Sequence, residues 1–242
     1  MARRHRVAVL AVLLVLAGGC QQFGDDQTVT PAPVPSAEVV PTTDTDRLVQ
    51  RHEAALRNTS HTTTVTLTIT YPNGSVGRRT DKFRVGADET YLYERRTTGP
   101  YPATLPNVTL WQSDRYEVRR QNGSVTVTDS PNVGDTTLAP FLRRLLGTFD
   151  LSVTETESGS RLTGEEANAD RIPLPGRLVD HRDATVEADV RGAVVRTVTI
   201  DLRADDTRID RPVRARYTVT VEDVNATTPT RPTWAEGATA TE

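Results

Sequence analysis

What the 242-residue chain has little of narrows its possibilities first. It has one cysteine, Cys20, which excludes an internal disulfide and every multi-cysteine metal site. It has one lysine, Lys82, beside 28 arginines, and its one methionine is the first residue. Aromatic residues make up 5% of the chain. Val, Leu, Ile and Phe total 55 residues, just above the fraction at which a chain stays disordered, so a core forms but a thin one. Neither sign of charge dominates: 29 basic against 32 acidic side chains leave a formal net charge of −3. That balance argues against a nucleic-acid protein, whose affinity comes from clustered Lys and Arg. The abundance of Arg over Lys, the 38 threonines and the scarcity of Ile, Phe and Met fit a GC-rich, salt-adapted microbe.

No long hydrophobic run is present either. The longest, Val7 to Ala17, has 11 residues and as a helix covers about 16 Å, half of a ~30 Å hydrocarbon core. It is too short to span. It follows Arg3, Arg4, His5 and Arg6 and precedes Ala17, Gly18, Gly19 and Cys20, the charged, apolar and small-residue order of a secretory signal. Leu16-Ala17-Gly18-Gly19-Cys20 resembles the lipobox of prokaryotic lipoproteins, with Leu16 one place further from the cysteine than in the common pattern. The resemblance implies cleavage before Cys20 and lipidation of its sulfur. Arg3-Arg4 also resembles a twin-arginine export signal, and the export route stays open. Each buried CH₂ contributes about 0.8 kcal/mol, so two chains anchor stably where one does not. Membrane attachment through lipid on Cys20 at the outer face of the cell membrane is therefore expected.

Residues 1–19 thus read as a signal peptide and residues 20–44 as the lipidated cysteine and a tether. Pro31, Pro33, Pro35 and Pro41 interrupt a polar stretch with no helical period. Loss of Arg3, Arg4 and Arg6 takes the net charge from −3 to −6. A mildly acidic surface stays soluble and off anionic headgroups. Residues 45–238 read as a single domain, and residues 239–242 as a tail.

The domain opens with a helix over Asp44 to Asn58, with Asp46 as its cap and Leu48, Val49, Ala55 and Leu56 on one stripe. The period then changes to two. In Thr62 to Tyr71, Val65, Leu67, Ile69 and Tyr71 alternate with threonines, and Asn73-Gly74 supplies a hairpin turn. Strands are predicted near Val76 to Val85, Thr90 to Arg96, Val108 to Gln112, Arg115 to Gln121 and Val125 to Asp129. A second helix over Thr137 to Leu146 puts Leu138, Phe141, Leu142, Leu145 and Leu146 on one face, with Pro140 in its first turn. Three closing strands follow: Ala184 to Val190, one carrying Val198, Ile200 and Leu202, and Val213 to Val221.

The expected fold class is α+β: a large antiparallel sheet, curled round two short helices. Its last strands are lined by Ala and Val, which leaves room for a cavity. The candidate lining residues are Val65, Leu67, Ile69, Tyr71, Val186, Ala188, Val198, Ile200, Tyr217 and Val219. This order of elements is similar to the bacterial lipoprotein-carrier fold and to mycobacterial lipid-carrying lipoproteins. His52-Glu53-Ala54-Ala55-Leu56, Asn58 to Thr62 and Arg231-Pro232-Thr233-Trp234-Ala235 resemble segments of a group of haloarchaeal lipoproteins with no assigned activity. The resemblance implies a half-open barrel that binds an apolar ligand or a lipid group without catalysis. The other reading is an envelope protein-protein interaction module with no pocket.

Catalytic constellations are scarce. His52 falls on the first helix, His61 at the head of a strand and His181 in a loop, with no His-x-x-x-His, Gly-x-Ser-x-Gly or phosphate-loop spacing. A hydrolase would need His61 or His181 to meet a carboxylate. Glu155 with Glu157, and Glu165 with Glu166 in a polar loop, read as solvated carboxylates. Tyr91, Tyr93, Tyr116 and Tyr217 read as half-buried strand residues, and Arg78-Arg79, Arg95-Arg96, Arg119-Arg120 and Arg143-Arg144 as solvated faces. No metal, cofactor or nucleic acid is expected.

Five N-x-S/T sequons, at Asn58, Asn73, Asn107, Asn122 and Asn225, use five of the seven asparagines. Asn73 and Asn122 also serve Asn-Gly turns, but the excess points to N-glycosylation of a surface protein. The intact mass of the mature protein should therefore exceed that of the lipidated polypeptide by whole sugar residues; a mass equal to it removes this reading.

Overall fold

A computed structural model describes residues 44–88, 90–100, 106–113, 115–129, 134–166, 172 and 174–236. The segments read as signal peptide and tether up to residue 43, Cys20 among them, and residues 237–242 lie outside the described residues. The elements run in the order α1 (Thr45–Leu56), β1 (His61–Thr70), β2 (Val76–Val85), β3 (Tyr91–Thr98), β4 (Val108–Gln112), β5 (Glu117–Gln121), β6 (Ser124–Thr128), α2 (Ala139–Leu146), β7 (Phe149–Thr156), β8 (Gly159–Glu166), β9 (Leu178–Arg191), β10 (Val194–Asp206), β11 (Arg211–Glu222) and α3 (Thr233–Glu236).

All eleven strands join one antiparallel sheet in the order β6-β5-β4-β3-β2-β1-β11-β10-β9-β8-β7. Two meanders, one from each half of the chain, meet where β1 pairs with β11. β6 and β7 remain as the two edges, so the sheet curls without closing: an α+β half-open barrel. The register of β9 against β10 shifts at three places, between Val195 and Thr197, between Asp201 and Arg203, and between Arg203 and Asp205. Asp180 and Asp183 of β9 adopt positive φ, the geometry of bulges that bend a strand.

The helices start as their sequences dictate, with one correction. The cap of α1 is Asp44, whose side chain accepts from Arg47 N–H at 3.0 Å; Asp46 sits in the first turn and pairs with Arg143 at 3.1 Å. α2 places Pro140 in its first turn and buries Ala139, Leu142, Leu145 and Leu146. Strands β7 and β8 extend the closing set from three to five. Glu165 accordingly lies in β8 and not in a loop, and His181 lies in the bulged part of β9.

One core joins the inner face of β1 and of β7 to β11 to the two helices. Leu48 and Val49 of α1, and Ala139, Leu142, Leu145 and Leu146 of α2, are buried with Val65, Leu67, Ile69, Ala184, Val186, Ala188, Val198, Ile200, Ala215 and Val219. The Ala- and Val-rich strand faces let the helices seat close to the sheet, so the small side chains are filled over by helix leucines. On the opposite face, the chain after β11 returns across the N-terminal meander. Thr227 bonds Thr62 at 3.0 Å, and the Arg231 guanidinium lies 5.0 Å from the Trp111 ring centre and 5.6 Å from that of Tyr116.

Because Leu145 is buried at the junction of α2 and the sheet, Leu145→Ala leaves a cavity that the sheet cannot collapse to fill. Chemical denaturation should show a loss of about 2–5 kcal/mol; a loss under 1 kcal/mol would mean that α2 is not seated as described.

Candidate functional site

The ten residues expected to line a cavity all take part in the packed core. Nine are buried, and Tyr217 is half-buried against Phe141, ring centres 5.4 Å apart. They hold the helices against β1, β9, β10 and β11. What the helices leave uncovered is the inner face of the other meander.

That face follows from register. Directly paired residues of antiparallel strands share a face. Val65 pairs with Asp81, Leu67 with Arg79 and Thr63 with Phe83; Asp81 pairs with Arg95, Phe83 with Tyr93 and Val85 with Tyr91. Tyr93 in turn pairs with Leu110, and Leu110 with Arg119. The inner side of β2 to β5 therefore carries Arg79, Asp81, Phe83, Tyr91, Tyr93, Arg95, Leu110 and Arg119, together with the buried Val108 and Gln112. Phe83, Tyr91, Tyr93 and Leu110 are only half-buried. Phe83 stacks on Tyr93 with ring centres 4.9 Å apart and lies 6.1 Å from Tyr91, so three rings form a ledge.

The ledge ends in a charged cluster. Asp81, 3% exposed, accepts from Arg79 Nε at 2.5 Å on Oδ2, and from Tyr93 O–H at 2.5 Å and Arg95 Nε at 2.7 Å on Oδ1. Burial, then the hydrogen bond to Asp81, pushes the Tyr93 phenol well above its usual range, and burial does the same for Tyr91. Both rings stay neutral. Arg79 and Arg95 are therefore not on a solvated face, as their Arg-Arg pairs suggested, but point inward beside the carboxylate that holds them.

At the other end of the ledge, a cavity of about 530 Å³ opens between the end of α1, the β2–β3 turn and residues 134–137. Leu56, Arg57, Val85, Ala87, Tyr91 and Thr136 are among its walls. Two further hollows, about 540 and 960 Å³, lie on the polar side of the sheet. Several of their charges are paired, Arg216 with Asp201 through two bonds of 2.8 Å and Arg203 with Asp183 at 3.4 Å. Of the ten expected lining residues, Val186 alone borders any of these three spaces.

The histidines are structural. His52 Nδ1 accepts from Val195 N–H at 3.2 Å, which leaves Nε2 to donate to the Thr137 carbonyl at 2.9 Å. His61 faces the Thr59 and Thr136 carbonyls at 2.8 and 3.2 Å. Together they tie the segment entering α2 to α1 and β1. His181 Nε2 faces the Leu178 carbonyl at 2.8 Å. Among the described residues, no three His, Cys, Asp or Glu side chains gather as a metal site, and no helix is long and apolar enough to cross a membrane. Glu155 and Glu165 lie exposed on strands. All five sequon asparagines are exposed, and Asn58, Asn122 and Asn225 adopt positive φ.

No family model and no curated protein matches the sequence. Among solved structures, a LolA superfamily protein from Nitrosomonas europaea is 8% identical, with 78% of this chain and 94% of that one covered at a TM-score of 0.27. A DUF1329 family protein from Desulfovibrio piger is 9% identical, with 77% and 93% covered at a TM-score of 0.27. Likenesses this remote carry no functional property to this chain.

Burial, reinforced by neighbouring His61 and opposed by the Thr137 carbonyl, lowers the His52 pKa below 6.5. The unfolded chain takes up a proton at this histidine near pH 6.5, and the folded chain only at lower pH. Stability from His52 is thus complete above pH 6.5 and lost as pH falls towards its folded value. The melting midpoint should drop between about pH 7.5 and 5.5, and His52→Gln should flatten that slope. An unchanged slope in the variant would refute the assignment.

Proposed function

We propose that this chain is a lipid-anchored, extracytoplasmic binding protein, noncatalytic, held at the outer face of the cell membrane through Cys20. It takes an apolar ligand or lipid group on the inner face of β2 to β5. The observation that carries this reading is the half-buried ledge of Phe83, Tyr91 and Tyr93 beside a cavity of about 530 Å³, on the half of the barrel that the helices do not fill. Apolar surface left open in a concave face gains about 25 cal/mol for each Å² that a ligand covers. The lipobox-like residues before Cys20 support the anchor. The histidines' engagement with backbone groups supports the absence of catalysis.

The reading as an envelope interaction module draws on β6, an edge strand whose side chains are mostly exposed, Val125 at 44%. Such an edge accepts a partner's strand.

Replacing Cys20 by Ala should move the protein from the membrane fraction to the soluble extracytoplasmic fraction, and native mass spectrometry of that form should show a noncovalent adduct of lipid mass. A variant still bound to membranes sinks the anchor, and an adduct-free spectrum in the presence of added lipid sinks the ligand.

A further inference from the structure

Resting on the second of those readings, that β6 accepts a strand, we infer that the strand is β6 of a second copy of this chain, so that two molecules join edge to edge about a twofold axis at Thr126. Among the described residues β6 pairs with β5 alone, and its other side is open. Exposed edges of natural sheets are blunted by charged residues or proline. β7, the opposite edge, carries Asp150 and Glu155, both exposed. β6, which reads Ser124-Val125-Thr126-Val127-Thr128, has neither charge nor proline. It also holds Val125, at 44% one of the two exposed large apolar side chains among the described residues.

The hairpin sets which backbone groups face outward. Asn122 and Gly123, with φ of 50° and 83°, make a two-residue turn, and Gln121 pairs with Ser124. The pair that closes such a turn exchanges both of its hydrogen bonds, and the exchange recurs at every second residue. Ser124, Thr126 and Thr128 therefore turn their N–H and C=O groups to β5. Val125 and Val127 turn theirs to the open side.

That edge is its own complement. Antiparallel pairing of β6 with its copy, centred on Thr126, sets Val125 opposite Val127 of the second copy and the reverse, so each outward N–H and C=O of the valines finds a partner. Side chains match as well. Val118 pairs with Trp111 and with Val127, so a buried apolar row reaches the edge at Val127, and Val125 of the second copy extends it. On the other face Ser124 meets Thr128. The pattern polar, apolar, polar, apolar, polar reads the same from both ends, which is what a twofold axis requires. No like charges collide: Arg119, opposite Thr126 on β5, stands three strand spacings from its counterpart, about 14 Å, beyond the ~10 Å screening length at 0.1 M salt.

Pairing consumes β6, and the acids of β7 guard the edge that remains, so the assembly stops at two. The twofold axis stands perpendicular to the sheet and keeps the aromatic ledges of both copies on one side. Five residues a side fall short of the roughly 20–30 of a stable interface, so the dimer is weak in dilute solution and favoured where tethering concentrates the copies.

The full Cys20→Ala chain has no other cysteine, so single cysteines placed in it read the register. Thr126→Cys should give a disulfide-linked dimer under mild oxidation, because directly opposed residues of a non-hydrogen-bonded pair have Cα atoms about 4.5 Å apart, within disulfide reach. Ser124→Cys alone and Thr128→Cys alone lie about 14 Å from their own counterparts and should not cross-link, whereas a mixture of the two should. In sedimentation the Cys20→Ala chain should rise towards twice the monomer mass with concentration, and Val125→Lys should stay monomeric with an unchanged melting midpoint. Equal cross-linking at all three positions, or a dimer that Thr126→Cys does not trap, overturns the proposal. So does a chain that is monomeric and unlinked at every concentration; capture of a peptide of residues 122–129 by that monomer would leave the edge reading standing, and no capture would remove both. Should Val125→Lys fail to fold, the cysteine register decides by itself.

Discussion

The pairing of β1 with β11 is the constraint on which everything else rests. It joins residues about 150 positions apart, such as Val65 with Val219 and Ile69 with Ala215, and it is the seam between two meanders that otherwise hold only sequence neighbours. Side chains alternate with a period of two, so a slip of one residue at this seam would send Val65, Leu67 and Ile69 to the polar side. Burial of those three against helix leucines makes the correct register the one of lowest energy. The hairpins on either side inherit their facing from it.

The seam also divides the concave face by purpose. On the C-terminal side, strand faces of Ala and Val admit α1 and α2 closely, and the result is a packed core. On the N-terminal side, Phe83, Tyr91, Tyr93 and Leu110 replace those small residues and stay half-open. A charged group is costly on such a face unless it is fully bonded. Asp81 meets that condition with three donors, and it fixes Arg79 and Arg95 in turn, so that the polar end of the ledge is rigid rather than solvated. His52 and His61 do comparable work at the opposite end, where they bind carbonyl groups of the segment that enters α2.

Much of the fold was legible along the chain. The threonine-alternating run of β1, the Asn-Gly turns, the leucine stripe of α2 and the alternating Ala and Val of β9 each state their own conformation within a few residues. Strands β7 and β8 were less visible, because Leu151 and Val153 are embedded among Thr, Ser and Glu, and their wet faces read as polar loop. His181 was hidden for another reason: the bulges at Asp180 and Asp183 break the alternation that marks the rest of β9. The site was scarcely legible at all. Arg79 and Arg95 each stand beside a second arginine, and such pairs look solvated until one knows which of the two points inward.

What the sequence by itself determined is local: the signal-like start with its single cysteine, the helix and strand segments, the turns, and hence an antiparallel α+β domain. What only the tertiary structure decided is which alternate residues face the same space. Local periodicity marks two faces on each strand but does not say which face of β2 continues the core face of β1. That assignment depends on register across the sheet, and it is register that brings Asp81, two arginines and a row of aromatic rings to one side.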